Sequence, residues 1–254
     1  MRALYSSFII HHSKHMGYLV LVRHGQAQTF EKESDRLTPL GEEQAAALGR
    51  FWHRRGAAFD EVYSGTLVRQ RRTAEITGDC HAEAGASWPA PQMTPALNEY
   101  DSKGILTRLL PALAERDASF RELLAAFEEN RHAPDRNRHF QKMFEAVTAV
   151  WMRGELPVDG VEPWPAFRDR VRGFLQTVMH AEGGGRRVAV FTSGGVIGLA
   201  VQTVLGAPDH QALEINWRVR NASLTEFVFG RGRVSFDSFN SIPHLDEERL
   251  RTFR

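Results

Sequence analysis

The hydrophobic pattern alternates between short apolar runs and helical repeats along most of the chain. Residues 18–22 (Tyr-Leu-Val-Leu-Val) and 188–191 (Val-Ala-Val-Phe) are continuous apolar runs, typical of strands buried on both faces. Each run is followed by a stretch in which apolar residues recur every three or four positions, the period of an amphipathic helix. This alternation predicts an α/β fold: a three-layer α/β/α sandwich with a mainly parallel sheet.

The clearest helix start is Thr38-Pro39, because threonine caps helices and proline fits their first turn. An apolar stripe follows from Ala45 to Trp52, and Gly56 is a natural stop. The other predicted elements are strands at 59–64, 223–229 and 233–236, and helices at 66–77, 166–180 and 196–205.

The segment 104–152 carries mostly helical periodicity, and we predict a helical cap insertion over about 101–160. Residues 1–17 are predicted to be an N-terminal extension, and residues 18–254 one α/β domain. His11, His12 and His15 of the extension lack a nearby carboxylate or cysteine to complete a ligand set, so we expect no metal site there.

Composition narrows the functional classes. The 254 residues include 32 Lys+Arg and 31 Asp+Glu, a formal net charge of +1, which argues against a general binder of nucleic acid or of membrane surfaces. No apolar run approaches the ~18 residues that a membrane span requires. The single cysteine, Cys80, excludes an intrachain disulfide and a cysteine-based zinc site. We therefore expect a cytoplasmic protein.

The cations are strongly biased, since all but Lys14, Lys32, Lys103 and Lys142 are arginines. Arginine suits bidentate contact with phosphate or carboxylate. Genomic base composition is the alternative explanation.

Candidate chemistry lies where two apolar strands end in glycine-containing turns, Arg23-His24-Gly25 and Ser193-Gly194-Gly195. Ligands bind beyond the carboxyl ends of parallel strands, so both turns are expected to open into one crevice, with Arg69 nearby. A neighbouring cation favours the neutral imidazole of His24, which is a competent nucleophile. Arginines around it would hold a phosphate.

The segment Leu21-Val22-Arg23-His24-Gly25-Gln26 resembles the signature of the histidine phosphatase (phosphoglycerate mutase-like) superfamily. Further matches follow in the family's order from about residue 18 to 229. They are Leu37-Thr38-Pro39-Leu40-Gly41, Val62-Tyr63-Ser64 through Arg69 to Thr73-Ala74-Glu75, Leu97-Asn98-Glu99, Phe167-Arg168, Gly194-Gly195-Val196-Ile197 and Asn221-Ala222-Ser223-Leu224.

The resemblance implies a role for each matched side chain. His24 would attack phosphorus and carry a phosphohistidine, while Arg23 and Arg69 would clamp the phosphoryl oxygens. Glu99 would protonate the leaving oxygen and then deprotonate the attacking water. No metal or other cofactor is required by this chemistry.

The anion cradle would be completed by Gln26 and by the backbone N–H of Gly194 at a helix start. Arg72 lies on the same helix face as Arg69 and would add positive charge, the alternative being a solvent-facing arginine.

Three departures from the family pattern stand out. Ser193 occupies the position of the second pocket histidine, as in a bacterial branch of the superfamily, and the loss of such a donor costs ~10²–10³ in rate. Gly65-Thr66-Leu67 replaces the common Ser-Pro-Leu, and Phe30 stands where many members have a phosphate-contacting asparagine.

These features together predict a metal-independent phosphatase that hydrolyses small phosphomonoesters. A phosphoglycerate mutase is the alternative within the family, but mutases usually carry Glu at the position of Gln26. A catalytically weak phosphoester- or protein-binding member is the alternative from another class, and Ser193 is its only direct support. The oligomeric state is left open, a homodimer included.

Overall fold

Six strands run through the computed structural model, which describes residues 16–28, 35–82, 85, 87–180 and 185–253. The strands are β1 Gly17–Arg23, β2 Glu61–Ser64, β3 Gln92–Met93, β4 Arg187–Thr192, β5 Leu224–Gly230 and β6 Arg233–Ser241. They form a sheet in the order β3-β2-β4-β1-β5-β6. The first four strands of this order are parallel, whereas β5 and β6 pair antiparallel. The α/β fold with a mainly parallel sheet is therefore confirmed.

Helices connect these strands. They are α1 Pro39–Arg54, α2 Val68–Ala82, α3 Ser102–Gly104, α4 Leu110–Arg116, α5 Ala118–Glu129, α6 Arg136–Arg153, α7 Trp164–Met179, α8 Gly194–Leu205 and α9 His210–Asn216, with a π-helical turn between α3 and α4. The predicted strands and helices outside 104–152 are present, with ends shifted by a few residues. The sequence pattern missed β3, which has only two residues, and α9, which is a short helix after Pro208.

The chain divides into two compact units. One contains residues up to Asn98 together with those from Val171 onward, and the other is Glu99–Arg170. The predicted insertion at about 101–160 falls within the bounds of the second unit, and its place over the pocket stays a prediction. The predicted N-terminal extension lies outside the described residues except for Met16 and Gly17, and Gly17 is already part of β1.

Both faces of β1 are buried, as its continuous apolar run predicts. Tyr18, Val20 and Val22 share a core cluster with Leu48 and Trp52 of α1. The alternating residues 19 and 21 point to the opposite face and are also fully buried. A central strand anchored on both faces fixes the position of the residues that follow it.

The start of α1 is capped as predicted, since the Thr38 hydroxyl accepts a hydrogen bond from the Gly41 N–H at 3.1 Å and proline opens the first turn. This cap is packed against the loop after β1. Thr38 N donates to the Gln26 carbonyl at 2.9 Å. A Cβ on Gly41 would lie 2.1 Å from the same carbonyl oxygen, and a Cβ on Gly25 would lie 2.3 Å from the Gly41 carbonyl oxygen. The two glycines thus let the loop and the helix start approach closely.

Within the described ranges, no helix is long and apolar enough to cross a membrane.

We predict that Gly41→Ala destabilises the protein by roughly 1–3 kcal/mol, because its methyl group overlaps backbone that has little room to move. Urea unfolding measures the loss. Gly173→Ala is the matched control: Gly173 lies in α7 with open space around its Cα, so alanine there should stabilise by roughly 0.5–1 kcal/mol. Equal effects of the two substitutions would contradict the close approach.

A second prediction concerns His244, which is 4% exposed. Burial lowers its pKa to about 3, so the folded protein keeps the ring neutral. The unfolded chain binds a proton below pH ~6.5, and stability is therefore lost as the pH falls from 6.5 toward 3. Between pH 7.5 and 5.0 this loss is about 2 kcal/mol.

Urea unfolding at the two pH values should show that His244→Gln loses about 2 kcal/mol less stability than the wild type. His132→Gln, which alters an exposed histidine, serves as the control and should follow the wild type. An unchanged pH dependence in His244→Gln would show that this ring titrates normally.

Candidate functional site

The two glycine-containing turns lie side by side at one edge of the sheet. The parallel register pairs Arg23 of β1 with Thr192 of β4, so His24 and Ser193 are the next residues in line. The His24 N–H donates to the Thr192 carbonyl at 2.9 Å, which continues the ladder past the strand ends. The fold therefore brings these two predicted site residues to neighbouring positions.

The tautomer of His24 is set by its own backbone. Its Nδ1 lies 2.7 Å from the Gly25 carbonyl oxygen, and a carbonyl can only accept a hydrogen bond. Nδ1 must therefore carry the proton, which leaves a lone pair on Nε2. This is the nitrogen that can act as a nucleophile.

Arg69 donates a hydrogen bond to that lone pair. Its Nε–H donates to His24 Nε2 at 3.1 Å, and its Nη1 lies 2.6 Å from Oδ1 of Asp35. The other oxygen of Asp35 accepts the Val68 N–H at 2.8 Å, at the start of α2. Asp35 thus ties the guanidinium group to the helix start from which Arg69 projects.

The electrostatic surroundings keep His24 neutral. Burial, then the positive charges of Arg69 and Arg23, hold the pKa of its imidazole well below the usual value, although the Gly25 carbonyl acts in the opposite direction. At neutral pH the ring therefore keeps its lone pair beside two cations. This arrangement favours the approach of an anion to an uncharged nucleophile.

Arg23 is held by backbone carbonyls. Its Nη1 donates to the Val219 carbonyl and, at 2.8 Å, to the Phe253 carbonyl. The chain near Phe253 is fixed in turn, because the Asn221 N–H donates to the Thr252 carbonyl at 2.9 Å. The last described residues of the chain therefore help to orient a predicted site arginine.

Gln26 is engaged with the cap of α1. Its backbone N–H donates to Gln44 Oε1 at 2.8 Å, and its side-chain oxygen accepts from the Thr38 hydroxyl at 2.9 Å. These contacts orient the loop that follows His24. The substrate-binding role of Gln26 stays a prediction.

Ser193 is fully buried and precedes the first residue of α8, Gly194. Its side chain does not cap the helix; instead Oγ accepts a hydrogen bond from Gln70 Nε2 at 2.8 Å. Gly194 packs against Asn216, whose Oδ1 would lie 2.4 Å from an added Cβ. The predicted roles of Ser193 and of the Gly194 N–H stay predictions.

Glu99 is the first residue of the second unit. Its carbonyl lies 3.3 Å from Nη2 of Arg170, and its Oε1 accepts the Tyr100 N–H at 3.1 Å. The role of Glu99 as acid and base stays a prediction from the family resemblance.

Arg72 has the contacts of a surface residue. Its side chain is 46% exposed and lies 3.4 Å from Glu42 and 3.5 Å from Glu75. These ion pairs fit the alternative of a solvent-facing arginine, and nothing in them supports the substrate-binding role.

Sequence reasoning missed Asp35 and Gln70, which contact Arg69 and Ser193 respectively. Both contacts join distant parts of the chain, so no local pattern predicts them. The only hint in the sequence was that each residue is a charged or amide side chain close to a matched motif.

Two features discussed from the sequence lie outside the described residues. They are Phe30, which stands where many family members have asparagine, and the histidines at positions 11, 12 and 15. Among the residues that are described, no group of three or more His, Cys, Asp or Glu side chains is placed to hold a metal ion.

Segments of the chain are similar in sequence to segments of known proteins. A 73-residue segment is 36% identical to the serine/threonine-protein phosphatase Pgam5, mitochondrial, of Drosophila willistoni, covering 28% of this chain and 25% of that protein. A 106-residue segment is 34% identical to the 2,3-bisphosphoglycerate-dependent phosphoglycerate mutase of Nitrobacter winogradskyi, covering 39% and 42%. The chain thus matches less than half the length of these relatives.

Solved structures match nearly the whole fold. The phosphoglycerate mutase from Bacillus anthracis superposes with a TM-score of 0.62 at 19% identity, covering 91% of this chain and 96% of that one. The mycobacterial glucosyl-3-phosphoglycerate phosphatase gives a TM-score of 0.57 at 21% identity, covering 89% and 98%. At these identities the likeness shows the fold alone.

The family model of the histidine phosphatase superfamily (branch 1) matches residues 19–103 and 100–242, which is most of the chain. Proteins named as phosphatases and as phosphoglycerate mutases stand among the matches. The chain belongs to the histidine phosphatase superfamily.

Proposed function

We propose that this protein hydrolyses small phosphate monoesters through a phosphohistidine on Nε2 of His24, with no metal ion taking part. One observation supports this most strongly. The Gly25 carbonyl fixes the proton on Nδ1, and Nε2 is left with its lone pair beside the Arg69 guanidinium. Arg23 supplies a second positive charge near the ring.

In the first step, Nε2 of His24 attacks phosphorus and the bond from phosphorus to the ester oxygen breaks. Arg69 must release the lone pair before attack, and its Nε–H then donates to a phosphoryl oxygen instead. The departing oxygen leaves as an alcohol after taking a proton from an acid, the role that the family resemblance gives to Glu99. The products of this step are an alcohol and phosphohistidine.

In the second step, water attacks the phosphohistidine. The Glu99 carboxylate formed in the first step takes a proton from the water, the bond from phosphorus to Nε2 breaks, and inorganic phosphate leaves. His24 returns to its original tautomer because Nδ1 kept its proton throughout. The cycle balances without an oxidant, a reductant or a second substrate besides water.

A mutase-type transfer is the second candidate, since two matched relatives are named 2,3-bisphosphoglycerate-dependent phosphoglycerate mutase. In that case a hydroxyl group of a sugar-acid phosphate would accept the phosphoryl group instead of water. Comparing phosphate release with transfer between 3-phosphoglycerate and 2-phosphoglycerate separates the two activities. We expect phosphate release to dominate.

The nucleophile is tested by brief exposure to a phosphorus-32-labelled monoester, followed by a quench in base. We expect an acid-labile label on the wild type and none on His24→Ala. The turnover of His24→Ala should be lower than that of the wild type by a factor of about 10³ or more, because the nucleophile is missing. Turnover of the wild type should persist in excess chelator.

His81→Ala is the matched control, because His81 is another buried histidine and its Nε2 lies 2.8 Å from the Ala57 carbonyl oxygen. It should keep the label. If the wild type acquires no label, or if His24→Ala acquires as much, the proposed function is wrong.

The acid is tested with Glu99→Gln on two kinds of ester. Alkyl phosphates need protonation of the leaving oxygen, whereas p-nitrophenyl phosphate does not. We therefore expect kcat/KM to fall about 10²–10⁴-fold for the alkyl ester and less than about tenfold for the aryl ester.

Glu128→Gln changes an exposed carboxylate of the same unit and should alter neither rate. Equal losses of Glu99→Gln on both esters would mean that Glu99 does not supply the proton.

A further inference from the structure

Gln70 is a fully buried amide next to Arg69 in the first turn of α2. A buried amide is costly unless its donors and its acceptor have partners. Its partners come from three separate segments of the chain: the turn before α2, the segment at Leu97, and Ser193 before α8. Gln70 therefore joins elements that meet at the carboxyl edge of the sheet.

The orientation of this amide is determined by Leu97. Gln70 Nε2 lies 3.0 Å from the Leu97 carbonyl oxygen and 2.8 Å from Ser193 Oγ. Because a carbonyl oxygen only accepts, the nitrogen of the amide must face Leu97. Both of its hydrogens are then used, one on Leu97 and one on Ser193.

The same logic fixes the polarity of Ser193. An amide nitrogen only donates, so Ser193 Oγ must accept from Gln70, and the hydroxyl hydrogen has to point elsewhere. The side chain does not cap α8, which is the usual use of serine at this position. The neighbouring position in the sheet register is His24.

The space for the amide comes from Gly65. A Cβ at this position would lie 1.9 Å from Gln70 Oε1 and 2.9 Å from Asn98 Oδ1. Any larger residue would displace the glutamine side chain. Two departures from the family pattern, at residues 65 and 193, therefore meet at the same amide.

We propose that Gln70 is a positioning residue that fixes the Ser193 hydroxyl as a hydrogen-bond donor to the phosphoryl group carried by His24. This rests on the proposed function. Ser193 supplies a neutral donor in this scheme, while the positive charge comes from Arg23 and Arg69. Gln70 acts through Ser193 and does not itself touch the substrate.

The test is a double-mutant cycle with p-nitrophenyl phosphate. Ser193→Ala and Gln70→Leu are each expected to lower kcat between about 10-fold and 100-fold with little change in KM, because the donor acts mainly in the transition state. In the Ser193→Ala background, Gln70→Leu should lower kcat by no more than about threefold further. Gln70→Met repeats the cycle with a more flexible side chain in case the leucine variant folds poorly.

Gln202→Leu is the matched control for loss of a buried amide. Gln202 is 3% exposed, lies in α8, and donates to the Ala207 carbonyl. Its substitution should lower Tm without changing kcat by more than about twofold. If Gln70 has a purely structural role, the losses of kcat caused by Gln70→Leu and Ser193→Ala should multiply in the double variant. Gln202→Leu should then also lose kcat to a comparable degree.

The same variants are measured for the dissociation constant of orthovanadate, which separates the two proposals. An active wild type with independent effects in the cycle overturns the role of Gln70 and leaves the proposed function standing. An inactive wild type that binds orthovanadate with coupled effects of the two substitutions overturns the proposed function and keeps the role of Gln70. An inactive wild type that fails to bind orthovanadate overturns both.

Discussion

The hydrogen bond between His24 Nδ1 and the Gly25 carbonyl is the contact on which the proposed chemistry of this site depends. It makes the ring a donor on one side and an acceptor on the other, so only Nε2 keeps a lone pair. The backbone that provides this carbonyl is itself fixed, since β1 is buried on both faces and the Gly25 loop packs against the start of α1. A rigid strand end therefore determines which nitrogen of the His24 ring carries the proton.

The second constraint is electrostatic. The chain is nearly neutral as a whole, yet two of its arginines stand close enough to His24 to lower the pKa of its imidazole. An imidazolium ion at this position would have no lone pair, so in the proposed function the cations that attract the phosphate also keep the imidazole neutral. Asp35 offsets part of this charge through Arg69. Its side chain is 37% exposed, so solvent weakens the pairing.

Sequence reasoning recovered the fold because its signals were local. The apolar run of β1 and the Thr38-Pro39 start of α1 each occupy a few consecutive residues, and each appeared where expected. The two-residue β3 carries too little pattern to be recognised. Placing His24 beside Ser193 needed only the rule that parallel strands end at one edge.

The contacts of Asp35 and Gln70 could not be predicted in the same way. Asp35 reaches a residue 34 positions away and Gln70 one 123 positions away, and no periodicity links such partners. Such contacts also depend on whether neighbouring residues leave room for the side chain. A Cβ at Gly65, for example, would lie 1.9 Å from Gln70 Oε1.

The exchange of a charged donor for a neutral one has a consequence for the whole site. A protonated histidine at residue 193 would place another cation beside His24, which would lower the pKa of the nucleophile further and hold the product phosphate more tightly. A serine hydroxyl aligned by an amide avoids both effects, because neither group titrates near neutral pH. In the proposed role of Gln70, alignment replaces charge, and this alignment comes from packing: the amide of Gln70 is buried, its two hydrogens are committed, and a glycine makes room for it. The departure at Ser193 is thus matched by a set of contacts that only a fixed backbone can provide.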